Sequence, residues 1–582
     1  MKLTLISLSF LIQWAKAQEV VPIIEIESGK ISGIVEQSFS GQEYFSYLGI
    51  PFAEPPTGDL RFKVTFVFYI FSENPKQLPF QAPIPAKPWD GIKDGSKDGL
   101  PCLQIAQFDE PNMIGSEDCL WLNVYTPAEK ITSEKLKPVL VWIYGGRFLV
   151  GSASSKVYSP HFMMDHDLVM VSIQWRVGPY GFLSTEDSAA PGNYGFQDQV
   201  LALQWIQANI HKFGGDPKQV TVSGHSAGSA SAHLHTISPL SQGLLSQAIS
   251  LSGTAANFWA GRAKGSHAKY AQQMGQLFDC PVHESKALID CLRQVDPIEL
   301  TQAQWKLHDF FHASPAKLPL STFIPRTDAE AEHPFMPVSP LELLRNGSSK
   351  IPWMTGITSQ EGAWYTSSLY GQDSMEYLKE YQTKRVEATK SLLAGMLEKD
   401  KDIEKLLEFY TQNRPVDDQA LRVPMSELVS DVIFNVEGLL AIHLVSKVAP
   451  VYFYQFNFRG NWSFAHEFEE TQHDYQGVAH LDDISYYMKI PFHSKLSEPE
   501  VEIMKIFTTF IANFVKFGRP SDNWPAFKPN QGVSMLIENP PKLSHQIPFK
   551  SRMKFLMDLL GHPEDLFQDY QVHDELRKRV EL

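Results

Sequence analysis

Short apolar runs alternate along this chain with longer stretches of helical spacing. The runs PVLVWIY (138–144), LVMVSI (168–173) and QVTVSG (219–224) are continuous rather than alternating, and they read as strands buried on both faces. AISLSG (248–253), IPWMTGI (351–357) and VYFYQFNF (451–458) read the same way. Between them, GFQDQVLALQWIQANIHKF (195–213) places Val200, Leu203, Ile206 and Ile210 at helical spacing. Strands alternating with helices predict an α/β fold, with a mostly parallel sheet covered by helices on both sides. No internal repeat and no Gly/Ser- or Pro-rich linker interrupts the pattern. Length alone would allow about three or four domains, but the pattern predicts a single domain over 18–582.

Two segments fall outside this pattern. The first is the leader MKLTLISLSFLIQWAKA (1–17). Lys2 precedes an apolar run too short to span a bilayer, and Ala15-Lys16-Ala17 fits a small-x-small cleavage site. It reads as a signal peptide, so the mature chain is expected in the secretory pathway, secreted or in the ER lumen. No later run holds 18 uninterrupted apolar residues, and no membrane anchor is expected. The second is VTFVFYIFSENPKQLPFQ (64–81), rich in β-branched and aromatic residues without clear alternation. Valine codons begin GT and a glutamine codon is CAG, the signatures of intron ends. The segment reads as a retained in-frame intron, with a genuine loop insertion as the alternative.

Composition narrows the partners. The charge is 51 − 66 = −15, and no basic run could track phosphates, so nucleic acid is not expected. The 4 cysteines allow three pairings. Pairing neighbours, Cys102 with Cys119 and Cys280 with Cys291, closes two short loops at roughly 2–3 kcal/mol each; four buried thiols are the alternative. Neither a C-x-x-C spacing nor a Cys/His cluster is present, so no metal site is expected. Asn346-Gly-Ser and Asn461-Trp-Ser are glycosylation sequons.

The chemistry concentrates in VTVSGHSAGSASAH (220–233). Gly-x-Ser-x-Gly after a strand and before a helix is a tight turn that lifts a serine hydroxyl to the sheet's edge. Ser226 is therefore a candidate nucleophile, with a small-residue helix start as the bland alternative. A serine hydroxyl needs a base, an oriented acid and donors for the oxyanion before it attacks at neutral pH.

EDCLWLNVYTP (117–127) and GGDPKQVTVSGHSAG (214–228) resemble the two signatures of type-B carboxylesterases, the family that includes cholinesterases. YFSYLGIPFAEPPTGDLRF (44–62), RVGPYGFLST (176–185) and PGNYGFQDQVLALQWI (191–206) are similar to that family too, and the resemblance runs from about residue 22 to 530. It implies an α/β-hydrolase fold and a Ser-Glu-His triad needing no metal or organic cofactor, with a small-molecule ester as substrate. By motif, Ser226 is the nucleophile, Glu361 in TSQEGAW (358–364) the acid, and His480 in GVAHLDD (477–483) the base. Nothing but the resemblance singles out His480 among 19 histidines. Arg61 with Glu117, and Arg176 with Asp198, match the family's buried ion pairs.

Three departures qualify that likeness. The family's oxyanion hole follows a run of three glycines, and here YGGRF (144–148) has Gly145, Gly146 and then Arg147. Gly146, Arg147 and Ala227 are the expected backbone donors. The Cβ of Arg147 is unwelcome if its φ is positive, and its long cation must either leave the acyl pocket or occupy it. Leu481 replaces a usual glycine and adds bulk beside the base. The third departure is 64–81, whose removal joins LRFK to APIPAKPWDG as smooth family sequence.

The loop LQIAQFDEPNMIGSED (103–118) has no tryptophan to hold a quaternary ammonium, which argues against acetylcholine. His225 stands where juvenile-hormone esterases typically have glutamine, which weakens that reading. The best expectation is a broad esterase for apolar or xenobiotic esters. Because of Arg147, a catalytically impaired ester-binding or sequestering protein is the first alternative; an adhesion protein is weaker, since all three triad residues are kept. The terminal Arg579-Val580-Glu581-Leu582 loosely resembles a lumenal retention signal, and HDEL (573–576) is internal, so secretion and retention both stay open. The oligomeric state is not legible. Transcript sequencing across Lys63–Ala82 is expected to show reads that lack 64–81; uninterrupted reads containing it would rule out the intron.

Overall fold

The computed structural model describes residues 21–63, 86–105, 113–127, 135–262, 264–307, 322–370, 382–393, 397, 399–414, 419–468, 477–493, 495–529 and 531–561. The leader 1–17, the segment 64–81, the internal HDEL and the C-terminal tetrapeptide lie outside the described residues, as do 106–112 of the first cysteine loop.

An eleven-stranded sheet carries the fold. In chain order its strands are β1 (Ile34–Gln37), β2 (Glu43–Pro51), β3 (Trp121–Pro127), β4 (Lys137–Ile143), β5 (Val169–Ile173) and β6 (Gly215–His225), then β7 (Gln247–Leu251), β8 (Trp353–Thr358), β9 (Val451–Phe456), β10 (Ser534–Ile537) and β11 (Lys542–Ser544). Their order in space is 11-10-9-8-7-6-4-5-3-2-1. Strands β4 to β10 run parallel, and antiparallel strands flank them at both edges.

All six expected strands are present. Val139 to Ile143 and Val169 to Val171 are fully buried, which is why their runs are continuously apolar. The strands β2 and β3 were not legible as runs, because Ser46, Asn123 and Thr126 interrupt them. Each of those polar side chains is buried, and Asn123 and Thr126 are hydrogen-bonded, Thr126 to the Phe213 carbonyl at 2.9 Å.

The expected helix over 195–213 is α1 (Tyr194–Asn209), tightening into a 3₁₀ turn at Ile210–Phe213. It differs from an amphipathic cover helix in being buried nearly all round, its polar Gln197, Asp198 and Gln199 included. Asp198 can be buried because Arg176 meets it with two parallel bonds, Nε to Oδ2 and Nη2 to Oδ1, both 2.7 Å. Arg61 grips Glu117 in the same way, at 2.5 and 2.8 Å, and its Nη1 donates to the Val295 carbonyl at 2.7 Å. That carbonyl follows the second disulfide loop, so the pair ties two distant parts of the chain together. Cys102 is bonded to Cys119, and Cys280 to Cys291.

The run Arg422–Val445 is long and apolar enough to cross a membrane, and it is packed inside the molecule.

Strands β4 and β6 stay paired up to Ile143 and Gly224, but the chain leaves β4 toward β5 on one side and β6 toward β7 on the other, so the loops after them part at the carboxyl ends. In an open α/β sheet that divergence is where ligands bind. Removing one partner of a buried charge pair strands the other, at about 3–5 kcal/mol. Asp198→Ala is therefore expected to lower unfolding stability by that amount in urea titration, and the joint replacement Arg176→Met with Asp198→Leu by much less.

Candidate active site

The carboxyl ends of β4, β6, β7 and β8 deliver four loops to one place. After β6, Ser226 takes φ 56° and ψ −121°, and the helix α2 (Ala227–Ile237) begins at the next residue. The strand thus runs one residue past the run read at 219–224, and the serine belongs to neither element. The turn is this tight because both motif glycines touch backbone. A Cβ on Gly224 would stand 2.3 Å from the Gly228 carbonyl oxygen, and one on Gly228 only 2.1 Å from that of Ile143. The Ser226 N–H donates to Leu251 on β7 at 2.9 Å, which anchors the turn to the neighbouring strand. Ser226 itself is part-exposed.

Glu361 lies three residues past β8 and is fully buried. Its Oε1 accepts from the Ser252 hydroxyl at 2.6 Å and from the Thr358 N–H at 2.7 Å. Its Oε2 lies 2.7 Å from Nδ1 of His480. Burial pushes the Glu361 carboxyl up to about 7, against those two hydrogen bonds. Burial, and secondly the charge of Arg147, disfavour an imidazolium at His480 and hold it below the ordinary histidine range.

The loops bearing these two residues are laced together. Gln360 N–H donates to the Val478 carbonyl at 2.8 Å, and Val478 N–H donates to the Ser359 hydroxyl at 3.0 Å. Asp482 then folds the histidine loop by accepting from the N–H groups of Ala479 and Phe464, each at 2.8 Å, and from the Ser463 hydroxyl. Leu481 occupies φ 80°. The glycine expected there answers a left-handed backbone rather than a need for space. His225, the residue before Ser226, packs its ring on that of His480 with centroids 4.3 Å apart. This contact puts the imidazole beside the turn that carries the hydroxyl.

The loop after β4 holds the other candidates. Gly146 has φ 126°, and a Cβ there would lie 2.1 Å from the Val150 carbonyl oxygen. Arg147 follows at φ 59° and Phe148 at φ 63°. The left-handed region costs a residue with a Cβ roughly 1–2 kcal/mol, so the anticipated conflict at Arg147 is real. Among the described residues no acceptor takes the N–H of Gly146 or of Ala227. The Arg147 guanidinium lies over the Trp364 ring, 4.9 Å from its centroid. Burial lowers it to about 10, so it stays a cation at neutral pH.

Sequence reading overlooked Ser252 and Asp482. Ser252 is the next-to-last residue of the run AISLSG and takes φ 58°, and nothing local in the sequence marks it. Asp482 is visible only as half of the Asp-Asp pair after His480. Among the described residues no cluster of His, Cys, Asp and Glu could hold a metal ion. Asn346 and Asn461 are both exposed, and the Asn461 amide donates to Glu500 at 3.2 Å.

Comparison with known proteins gives this geometry a context. A sequence model of the carboxylesterase family matches residues 20–65 and 71–556; the break between the two blocks falls within 64–81. The chain is 34% identical to a juvenile hormone esterase of Tribolium castaneum, over 88% of this chain and 87% of that protein. It is 30% identical to esterase FE4 of Myzus persicae, over 93% and 92%. It is 31% identical to pyrethroid hydrolase Ces2e of Rattus norvegicus, over 87% and 84%.

The backbone at 146–147 makes a stability prediction. Arg147→Gly is expected to leave thermal stability unchanged or raise it by up to about 1 kcal/mol, by removing a strained Cβ. Gly146→Ala is expected to lower it by about 1–3 kcal/mol. Thermal unfolding of the two variants beside the parent checks both.

Proposed function

The chain belongs to the carboxylesterase family, and on that premise we propose that this carboxylic ester hydrolase works through Ser226, His480 and Glu361. One observation carries the reading: a buried carboxylate bonded to Nδ1 of an imidazole whose ring packs against the residue before Ser226. With Nδ1 committed to Glu361, Nε2 is the nitrogen left to act as base. It takes the Ser226 proton as Oγ attacks the ester carbonyl, and Glu361 holds the tautomer and stabilises the imidazolium that forms. The N–H groups of Gly146, Arg147 and Ala227 receive the oxyanion. His480 returns the proton to the leaving alcohol, and water then cleaves the acyl-serine by the same steps in reverse.

The substrates are apolar or xenobiotic esters. Phe434 packs on His480, Trp259 packs on Phe434 and Trp364 lies against Arg147, and the first cysteine loop lacks a tryptophan for a quaternary ammonium. The two disulfides fit a secreted or lumenal protein, formed as a single catalytic domain over 18–582.

A second reading is favoured by Arg147. Its strained backbone aims one of the three oxyanion donors, and its cation disfavours the imidazolium that catalysis requires. Losing one such donor lowers turnover by roughly 100–1,000-fold. A chain so impaired would be acylated once and hold its ester.

Steady hydrolysis of a nitrophenyl ester, abolished by Ser226→Ala, is the expected result. Stoichiometric fluorophosphonate labelling without turnover would favour sequestration instead. The pH profile has a definite sign. A folded-state value below the ordinary 6.5 keeps His480 a free base into mild acid, so the acid limb of kcat/KM is expected below pH 6.5. In Arg147→Gly the limb moves up, since a repelling cation is gone.

A further inference from the structure

His225 is buried, and its Nε2 meets no hydrogen-bond partner among the described residues. Leaving such a group unpaired costs about 1–3 kcal/mol, so hydrogen bonding does not account for an imidazole at this position. The flat face of the ring does other work. It packs on His480 at 4.3 Å with the planes 38° apart, and the Phe434 ring packs on the same imidazole at 4.6 Å and 31°. Both planes are tilted to the imidazole, and among the described ring contacts the two partners do not touch each other, so they meet it from different directions.

Each jaw has a rigid mount. His225 is the last residue of β6, in register with Leu251 of β7. Phe434 sits in a π-helical turn, Asp431–Asn435, a wide turn of the kind that recurs at functional sites. That turn is held by buried Asp431, which accepts from Asn435 at 2.8 Å, Tyr410 at 2.7 Å and Arg552 at 2.6 Å. The edge of His480 is fixed separately, by Glu361 at Nδ1. The charged groups around the ring are Glu361 from the loop after β8, Arg147 from the loop after β4, and Asp482 and Asp483 on its own loop. Asp482 is occupied by Ser463 and backbone N–H groups, and Asp483 accepts from Tyr454.

We infer that His225 is a positioning residue for ester hydrolysis, its ring forming with Phe434 a clamp that fixes the plane of the His480 imidazole. The inference rests on the hydrolase reading of Ser226 and His480. A hydrogen bond at Nδ1 sets where the ring is but leaves it free to tilt about that bond. Proton transfer needs Nε2 held in line with the serine hydroxyl, and small misplacements of reacting groups lower rates by up to about 100-fold. The clamp removes the tilt.

Three replacements separate a flat ring from mere bulk. His225→Phe keeps the face, His225→Leu keeps an apolar filling without it, and Phe434→Leu opens the other jaw. Steady-state hydrolysis of a nitrophenyl ester is measured for each, with thermal unfolding as the check on folding. The expected result is kcat within about threefold of the parent for His225→Phe. For His225→Leu and Phe434→Leu, kcat falls about tenfold or more while KM stays within about twofold. Equal kcat for His225→Phe and His225→Leu overturns the clamp, as does parent-like kcat for Phe434→Leu. If the position 225 variants do not fold, Phe434→Leu beside Phe434→Tyr, which keeps a flat ring, carries the same comparison. An active parent indifferent to both positions overturns the clamp alone. Hydrolysis that survives Ser226→Ala overturns the hydrolase reading at this site, and the clamp with it.

Discussion

A single hydrogen bond, 2.7 Å from Glu361 Oε2 to His480 Nδ1, sets the demands on everything around it. It joins residues 119 apart in sequence, and both partners are buried. A buried carboxylate is tolerable only with its oxygens occupied. Ser252 and the Thr358 N–H occupy one and His480 the other, so the acid's own stability depends on the base being in place. The lacing of 359–360 to Val478 and the capping of the histidine loop by Asp482 follow from that requirement.

The left-handed backbone around the site has the same origin. Arg147, Phe148, Ser226, Ser252 and Leu481 all have positive φ, and all lie in loops leaving the sheet or facing it. Each such residue stores about 1–3 kcal/mol of strain. A chain keeps it only where surrounding structure over-determines the turn. Here the parallel strands β4, β6, β7 and β8 end side by side, and close backbone contacts at Gly224, Gly228 and Gly146 leave the loops no other path.

How far the sequence showed this differs from residue to residue. The parallel strands were legible because burial on both faces leaves only apolar runs. The antiparallel strands β2 and β3 were hidden by buried polar residues such as Asn123, most of whose partners are distant in sequence. Helix α1 was legible by spacing, but its burial on all sides was not, since Asp198 looks like a solvent residue until Arg176 is found beside it. Ser226 announced itself through flanking glycines that respond to local sterics. Glu361 and His480 did not, because their significance is a long-range contact, and only likeness to a family pointed to them. Ser252, Asp482 and the packing of His225 left no local mark. At Leu481 the sequence raised the right position for an incomplete reason, as the sign of φ matters there more than bulk.

The bond from Arg552 to Asp431 reaches from the last described helix, Lys550–Leu560, back to the π-turn that presents Phe434. Residue 552 is among the last of the described chain to leave the ribosome. Until it arrives, Asp431 has no cation beside it in the interior, and the turn lacks one of its three ties. The wall behind the imidazole is therefore completed only after residue 552 has been made, so a nascent chain that already contains the serine, the acid and the base is still an unfinished enzyme.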